Sequence, residues 1–151
     1  MWIGTFGGGL DLAVKGENGY TFRHFLNKSF GQRRTRAIME DKNGWMWIGN
    51  SDGVSVFHPD SLIANSTNYN NGKLLSNEIK CIYQDTKGRI WIGTSGGGLS
   101  MCTPDNGYKN LEFKHYDTNN GLVNNMVQAI AEDRQGKLWI ATEYGISRFT
   151  P

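Results

Sequence analysis

The chain has 151 residues, 38% hydrophobic and 20% charged, with 16 Lys and Arg against 14 Asp and Glu. That is one ordinary soluble domain's worth of sequence, with no apolar run near the roughly 18 residues that cross a bilayer and no disordered tail. Basic residues cluster only at Arg33, Arg34 and Arg36, which is not the concentrated basic face of a nucleic-acid binder. Cys81 and Cys102 make neither a disulfide framework nor, with His, a metal-ligand spacing, so no metal or other cofactor is expected. Met1 is followed by Trp2, Ile3 and Gly4 rather than by the basic start and apolar core of a signal peptide, so the chain is cytoplasmic or part of something longer.

In chain order, one phrase returns four times: Trp2-Ile3-Gly4-Thr5, Trp47-Ile48-Gly49-Asn50, Trp91-Ile92-Gly93-Thr94 and Trp139-Ile140-Ala141-Thr142. The tryptophans are 45, 44 and 48 residues apart, a propeller-blade period and too long for ankyrin, tetratricopeptide or leucine-rich units. The last three copies carry an Asp six residues before the Trp and a Gly three before it: Asp41 and Gly44, Asp85 and Gly88, Asp133 and Gly136. After each Trp come a turn and a short apolar strand, at Leu10, Val54, Leu99 and Ile146. The units run approximately over 1–26, 33–74, 75–120 and 121–151.

Within a unit the pattern predicts strands joined by tight turns. Residues 79–85 and 89–94 read as strands, with Asp85-Thr86-Lys87-Gly88 as the hairpin between them. Leu99 to Cys102 is a third strand and Leu111 to Tyr116 a fourth, matched in the first unit by Thr21 to Phe25. The central strands carry Trp between apolar residues instead of alternating, as expected where both faces of a small sheet are buried. Residues 58–74 are polar and read as a longer loop without the outer-strand pattern. The fold class is therefore all-β: propeller blades of about four antiparallel strands, two nearly whole and two partial, in an incomplete ring. Such a ring is expected to close with a further copy of the chain or with the remaining blades of a longer parent.

The text Asn77-x-Ile79-x-x-Ile82-x-x-Asp85-x-x-Gly88-x-Ile90-Trp91-Ile92-Gly93-Thr94, repeated from Gly121 to Ile140, resembles the two-component regulator propeller repeat. The resemblance implies a sensor portion outside the inner membrane, in the periplasm, of a bacterial hybrid two-component histidine kinase. In that family, members from gut Bacteroides-like bacteria sense oligosaccharides from glycans. It further implies a non-enzymatic segment with an oligosaccharide ligand.

The repeat also sorts the candidate residues. His24 and His115 fall at one repeated position, and Asp41, Asp85 and Asp133 each begin the same turn, so all five read as structural. Trp2, Trp47, Trp91 and Trp139 read as packing anchors between blades. No Lys-Ser or Lys-Thr follows Gly7-Gly8-Gly9 or Gly96-Gly97-Gly98, so these are turns rather than phosphate loops. Departures from the repeat carry the binding candidates. Trp45 takes the place of Arg89 and Lys137 and reads as an exposed aromatic. Arg33, Arg34 and Arg36 precede an inner strand at a rim, and Phe6 and the pair Glu143-Tyr144 vary in the loop after the Trp strand. Exposed aromatics with Arg donors suit sugar rings and anionic substituents. Glu78 is nearly the only unique carboxylate near an inner strand, and the alternative of a propeller lyase or hydrolase would rest on it. A protein-interaction scaffold is the other alternative.

Overall fold

The computed structural model describes residues 1–25, 34–61, 66–70 and 72–151. Among these residues, fourteen strands form four antiparallel sheets in chain order. The first sheet holds β1 (Trp2–Gly4), β2 (Leu10–Gly16) and β3 (Gly19–Phe25). The second holds β4 (Ala37–Glu40), β5 (Met46–Asn50), β6 (Gly53–Phe57) and β7 (Thr67–Tyr69). The third holds β8 (Ile79–Gln84), β9 (Ile90–Thr94), β10 (Leu99–Cys102) and β11 (Lys114–Tyr116), and the fourth β12 (Val127–Glu132), β13 (Leu138–Thr142) and β14 (Gly145–Phe149). A 3-10 turn, Thr118–Asn120, links the third sheet to the fourth. The inner strands β4, β8 and β12 pack side by side, as blades do around a propeller axis, and among the described residues the ring is not closed.

Two expectations need correction. The stretch 58–74 is not strandless, because β7 completes the second sheet with Val54 opposite Tyr69. Tyr69 is buried and its hydroxyl donates to the carbonyl of Tyr108 at 2.5 Å, which anchors a strand too short and polar to be visible as a pattern. The fourth strand of the third sheet is shorter than Leu111 to Tyr116. Leu111 is buried in the approach to β11 and donates its N–H to Tyr69 Oη.

The central strands bury both faces. Directly paired residues share a face, so Trp47 stands with Met39 and Val56 toward the third sheet, where Ile79, Ile90 and Tyr108 cover it. Met46, Ile48 and Phe57 point the other way and pack on Leu10 and Trp2 of the first sheet. Trp91 repeats the arrangement one sheet later, against Val127, Leu138 and Phe149. Trp47 and Trp91 are thus each covered by the sheet that follows.

The repeated Asp closes the turn and fixes the indole with different oxygens. Asp85 Oδ1 accepts from the backbone N–H groups of Lys87 and Arg89 at 3.0 and 2.9 Å, while Oδ2 accepts from Trp91 Nε1 at 2.8 Å. Asp41 and Asp133 do the same for Trp47 and Trp139, each at 3.0 Å. Burial pushes the Asp85 carboxyl up, but hydrogen bonds from Trp91 and Arg89 outweigh it and hold the group below the usual carboxylate range. Asp133 is lowered too, chiefly by the Trp139 indole N–H. Gly88, at φ +84°, supplies the left-handed residue that closes the turn.

Adjacent sheets are also clasped. Gln84, at the end of β8, accepts from the Lys42 N–H of the preceding turn at 2.7 Å. Glu132, at the end of β12, accepts from the N–H and hydroxyl of Thr86 at 2.9 and 2.7 Å. Both contacts reach backward along the chain. Tyr108 reaches backward as well, donating from the third sheet's long connection to Asp41 Oδ2 at 2.8 Å.

Candidate functional site

The inner strands begin with irregular pairing. In β8 the partners jump from Ile79–Thr94 to Cys81–Gly93, and in β12 from Val127–Thr142 to Ala129–Ala141. Lys80 and Gln128 are the extra residues of these bulges, which re-aim a side chain at the end of a strand. Arg36 stands at the aligned position just before β4, its N–H bonded to the Gly49 carbonyl at 2.9 Å. Three successive blades therefore place Arg36, Lys80 and Gln128 at one end of the inner strands.

Loops after the Trp strands meet them there. Phe6 bridges Arg34 through its backbone, and the Arg34 guanidinium carbon lies 4.3 Å from the Phe6 ring centroid. Arg36 lies 5.9 Å from the same centroid on its own approach. Glu78 Oε1 is 3.3 Å from Lys80 Nζ and 4.0 Å from Arg36 Nη2, so one carboxylate tethers two cations. On the next blade Gln128 donates to Glu143 Oε1 at 3.2 Å. Phe6 remains 71% exposed and Tyr144, in the equivalent loop of the fourth sheet, 78%. The result is a partly paired, net cationic rim with an exposed ring under a guanidinium. Such a surface can stack on an apolar face and hold anionic groups.

The structure gathers Arg34, Arg36 and Glu78, and Tyr144 lies at the same end of the sheets without touching them. Arg33 lies outside the described residues. Trp45 is elsewhere: it follows the β4–β5 turn, at the opposite end of β4 from Arg36. It is half-buried rather than exposed, stacked on Tyr108 with centroids 4.0 Å apart and planes at 10°, with His58 against it edge-on. The reason is substitution of one donor by another. In the third sheet Arg89 Nε donates to Asp85 Oδ2 at 2.6 Å, whereas in the second Trp45 replaces that arginine and Tyr108 supplies the donor to Asp41. Burial pushes the Tyr108 hydroxyl up to about 12. A groove of about 320 Å³ beside Trp45 is lined by His58, Ser61 and Lys109.

The aligned histidines also have partners within their own sheets. His24 Nδ1 is 2.6 Å from Asp11 Oδ1, and His115 Nδ1 is 2.9 Å from Ser100 Oγ. Lys80 and Gln128 were missed as rim members. Their signal was available, since Lys80 and Gln128 occupy the variable position of Arg36, but only the bulge shows that this position faces the rim.

No group of three His, Cys, Asp or Glu positioned for a metal occurs among the described residues, and none of their helices is long and apolar enough to cross a membrane. Cys81 and Cys102 are free, and burial raises their thiols to about 11 and about 12.

Three stretches, residues 29–52, 73–96 and 121–144, match the two-component regulator propeller family. No curated protein matches the chain. Among solved structures, the extracellular domain of a hybrid two-component system from B. thetaiotaomicron is 25% identical, with a TM-score of 0.67 over 99% of this chain and 26% of its own. The extracellular domain of a one-component system from the same bacterium is 25% identical, with a TM-score of 0.71 over 97% of this chain and 19% of its own. A virginiamycin B lyase from Staphylococcus aureus, 15% identical over 99% of this chain and 55% of its own, shares the fold alone at a TM-score of 0.58. The chain spans about a quarter or less of the two extracellular domains it resembles. Three stretches matching one family's repeat, set in a matching succession of sheets, are what this chain shares with the two-component regulator propellers.

Proposed function

We propose that this propeller segment is a non-enzymatic, ligand-binding part of a periplasmic sensor domain, that its rim binds a glycan-derived oligosaccharide, and that occupancy is relayed to a histidine kinase. The repeat family and the extracellular domains of similar fold support the sensor setting. The observation that carries the ligand is the Arg34 guanidinium over the exposed Phe6 ring, with Arg36 and Lys80 beside it. One face of the ring is taken by the cation, and its exposed remainder suits the C–H face of a sugar. Arg36 offers a planar fork of donors to a carboxylate or sulfate. Glu78 lies between Lys80 and Arg36 and orients them, which favours binding over acid–base chemistry.

Calorimetric titration with neutral and uronate-containing oligosaccharides tests the reading. The uronate series binds, and Arg34→Ala combined with Arg36→Ala weakens it at least about tenfold, roughly 1.4 kcal/mol. Heat of binding unchanged by the double substitution moves the ligand away from this rim. Turnover of any oligosaccharide by the chain overturns the non-enzymatic reading.

A further inference from the structure

The fourth sheet leaves open the face that each earlier sheet buries against its successor. Trp139 is 41% exposed there, against 0% for Trp47 and Trp91. Ile146 is 67% exposed, although Leu10, Val54 and Leu99 at the same repeat position are fully buried. Ala129, Ala131, Trp139, Ala141 and Ile146 line a shallow apolar groove of about 190 Å³ on this face.

One residue makes the face different from its counterparts. In the first three sheets the residue two after the Trp is glycine, and a methyl group on it would collide with the next sheet. At Gly49 a Cβ would lie 2.5 Å from Ile79 Cγ2, at Gly93 it would lie 2.6 Å from Val127 Cγ1 as well as 2.5 Å from Cys81 Sγ of its own sheet, and at Gly4 it would strike Thr35. All three opposing residues are β-branched, with few rotamers to move into, and the atoms struck sit close to their backbone. The fourth sheet carries Ala141 at this position. A sheet bearing Thr, Ile or Val there could not approach as closely as the earlier ones do.

We propose that the open face of the fourth sheet docks one further propeller sheet, and that this partner carries glycine, alanine or serine where Thr35, Ile79 and Val127 stand. Continuity with the three internal interfaces identifies the occupant as a sheet of the same type. Ala141 specifies its contact residue.

Two experiments test this. Within the chain, Gly49→Ala lowers the melting temperature, and adding Ile79→Ala to it costs less than the sum of the two single changes. For the open face, the full chain is extended by a copy of residues 58–120, with either Ile or Ala at the copied position 79. Hydroxyl-radical labelling, read on the peptides holding Trp139 and Ile146, reports docking. The Ala copy is expected to protect both residues several-fold, and the Ile copy to protect them only when Ala141→Gly is also present. Equal protection by both copies on the native face, protection by neither on either face, or full additivity at Gly49 and Ile79 overturns the proposal.

Discussion

Trp91 and Trp139 stand at the same place in successive sheets, and each donates its indole N–H to an aspartate six residues earlier. One is fully buried and the other 41% exposed. The aspartate–indole bond is therefore a property of the repeat itself, made whether or not a neighbour is present. Burial is a property of the interface and comes from the next sheet. The repeat presets the ring's orientation, and the neighbour converts that orientation into stability.

The largest test of this division removes the ring. Trp91→Ala should cost about 3 to 5 kcal/mol in urea-induced unfolding, as for a fully packed large aromatic, and Trp139→Ala much less; equal losses would mean that the indole stabilises its own sheet rather than the interface. Next in size is the acceptor. Asp85→Asn should cost about 2 to 3 kcal/mol, since it weakens charge-assisted bonds from Arg89 and Trp91 in a buried corner. Gly49→Ala should cost about 1 to 3 kcal/mol through overpacking, while Ala141→Gly should leave stability within about 1 kcal/mol.

The pH dependence follows from the same corners. Asp85 and Asp133 are held below the usual value of 3.8 in the folded chain, so the folded state binds fewer protons there. Their contribution is present above that value and lost as pH falls through the folded pKa, and Asp85→Asn should flatten the loss below about pH 4 in an acid-unfolding series. Tyr108 has the opposite sign. Its hydroxyl is raised from 10.0 to about 12, so its contribution holds below pH 10 and fades as pH rises toward about 12, and Tyr108→Phe should reduce the loss of stability over that range.

Much of the fold was legible because the repeat aligns the tryptophans, aspartates and glycines, and because three successive apolar residues in a strand require two buried faces. What escaped depends on partners distant in sequence. Tyr69 defines a strand through Tyr108 and Leu111, about forty residues away, and no local pattern records that. Trp45 looked free because its equivalents, Arg89 and Lys137, are charged residues of a solvent-facing pattern, but the tyrosine that covers it belongs to another sheet's loop. The rim was half visible. Alignment marked Arg34, Arg36 and Glu78, while Lys80 and Gln128 needed the bulge that re-aims them.

The clasps between sheets give the molecule a polarity of unravelling. Gln84, Glu132 and Tyr108 each hold a turn belonging to the sheet before their own. Losing a sheet from the carboxyl-terminal side would release its predecessor's turn as well as uncovering that predecessor's tryptophan, whereas losing the first sheet from the amino-terminal side would leave these clasps intact. Fraying, and protease entry with it, should therefore travel from the last sheet toward the first.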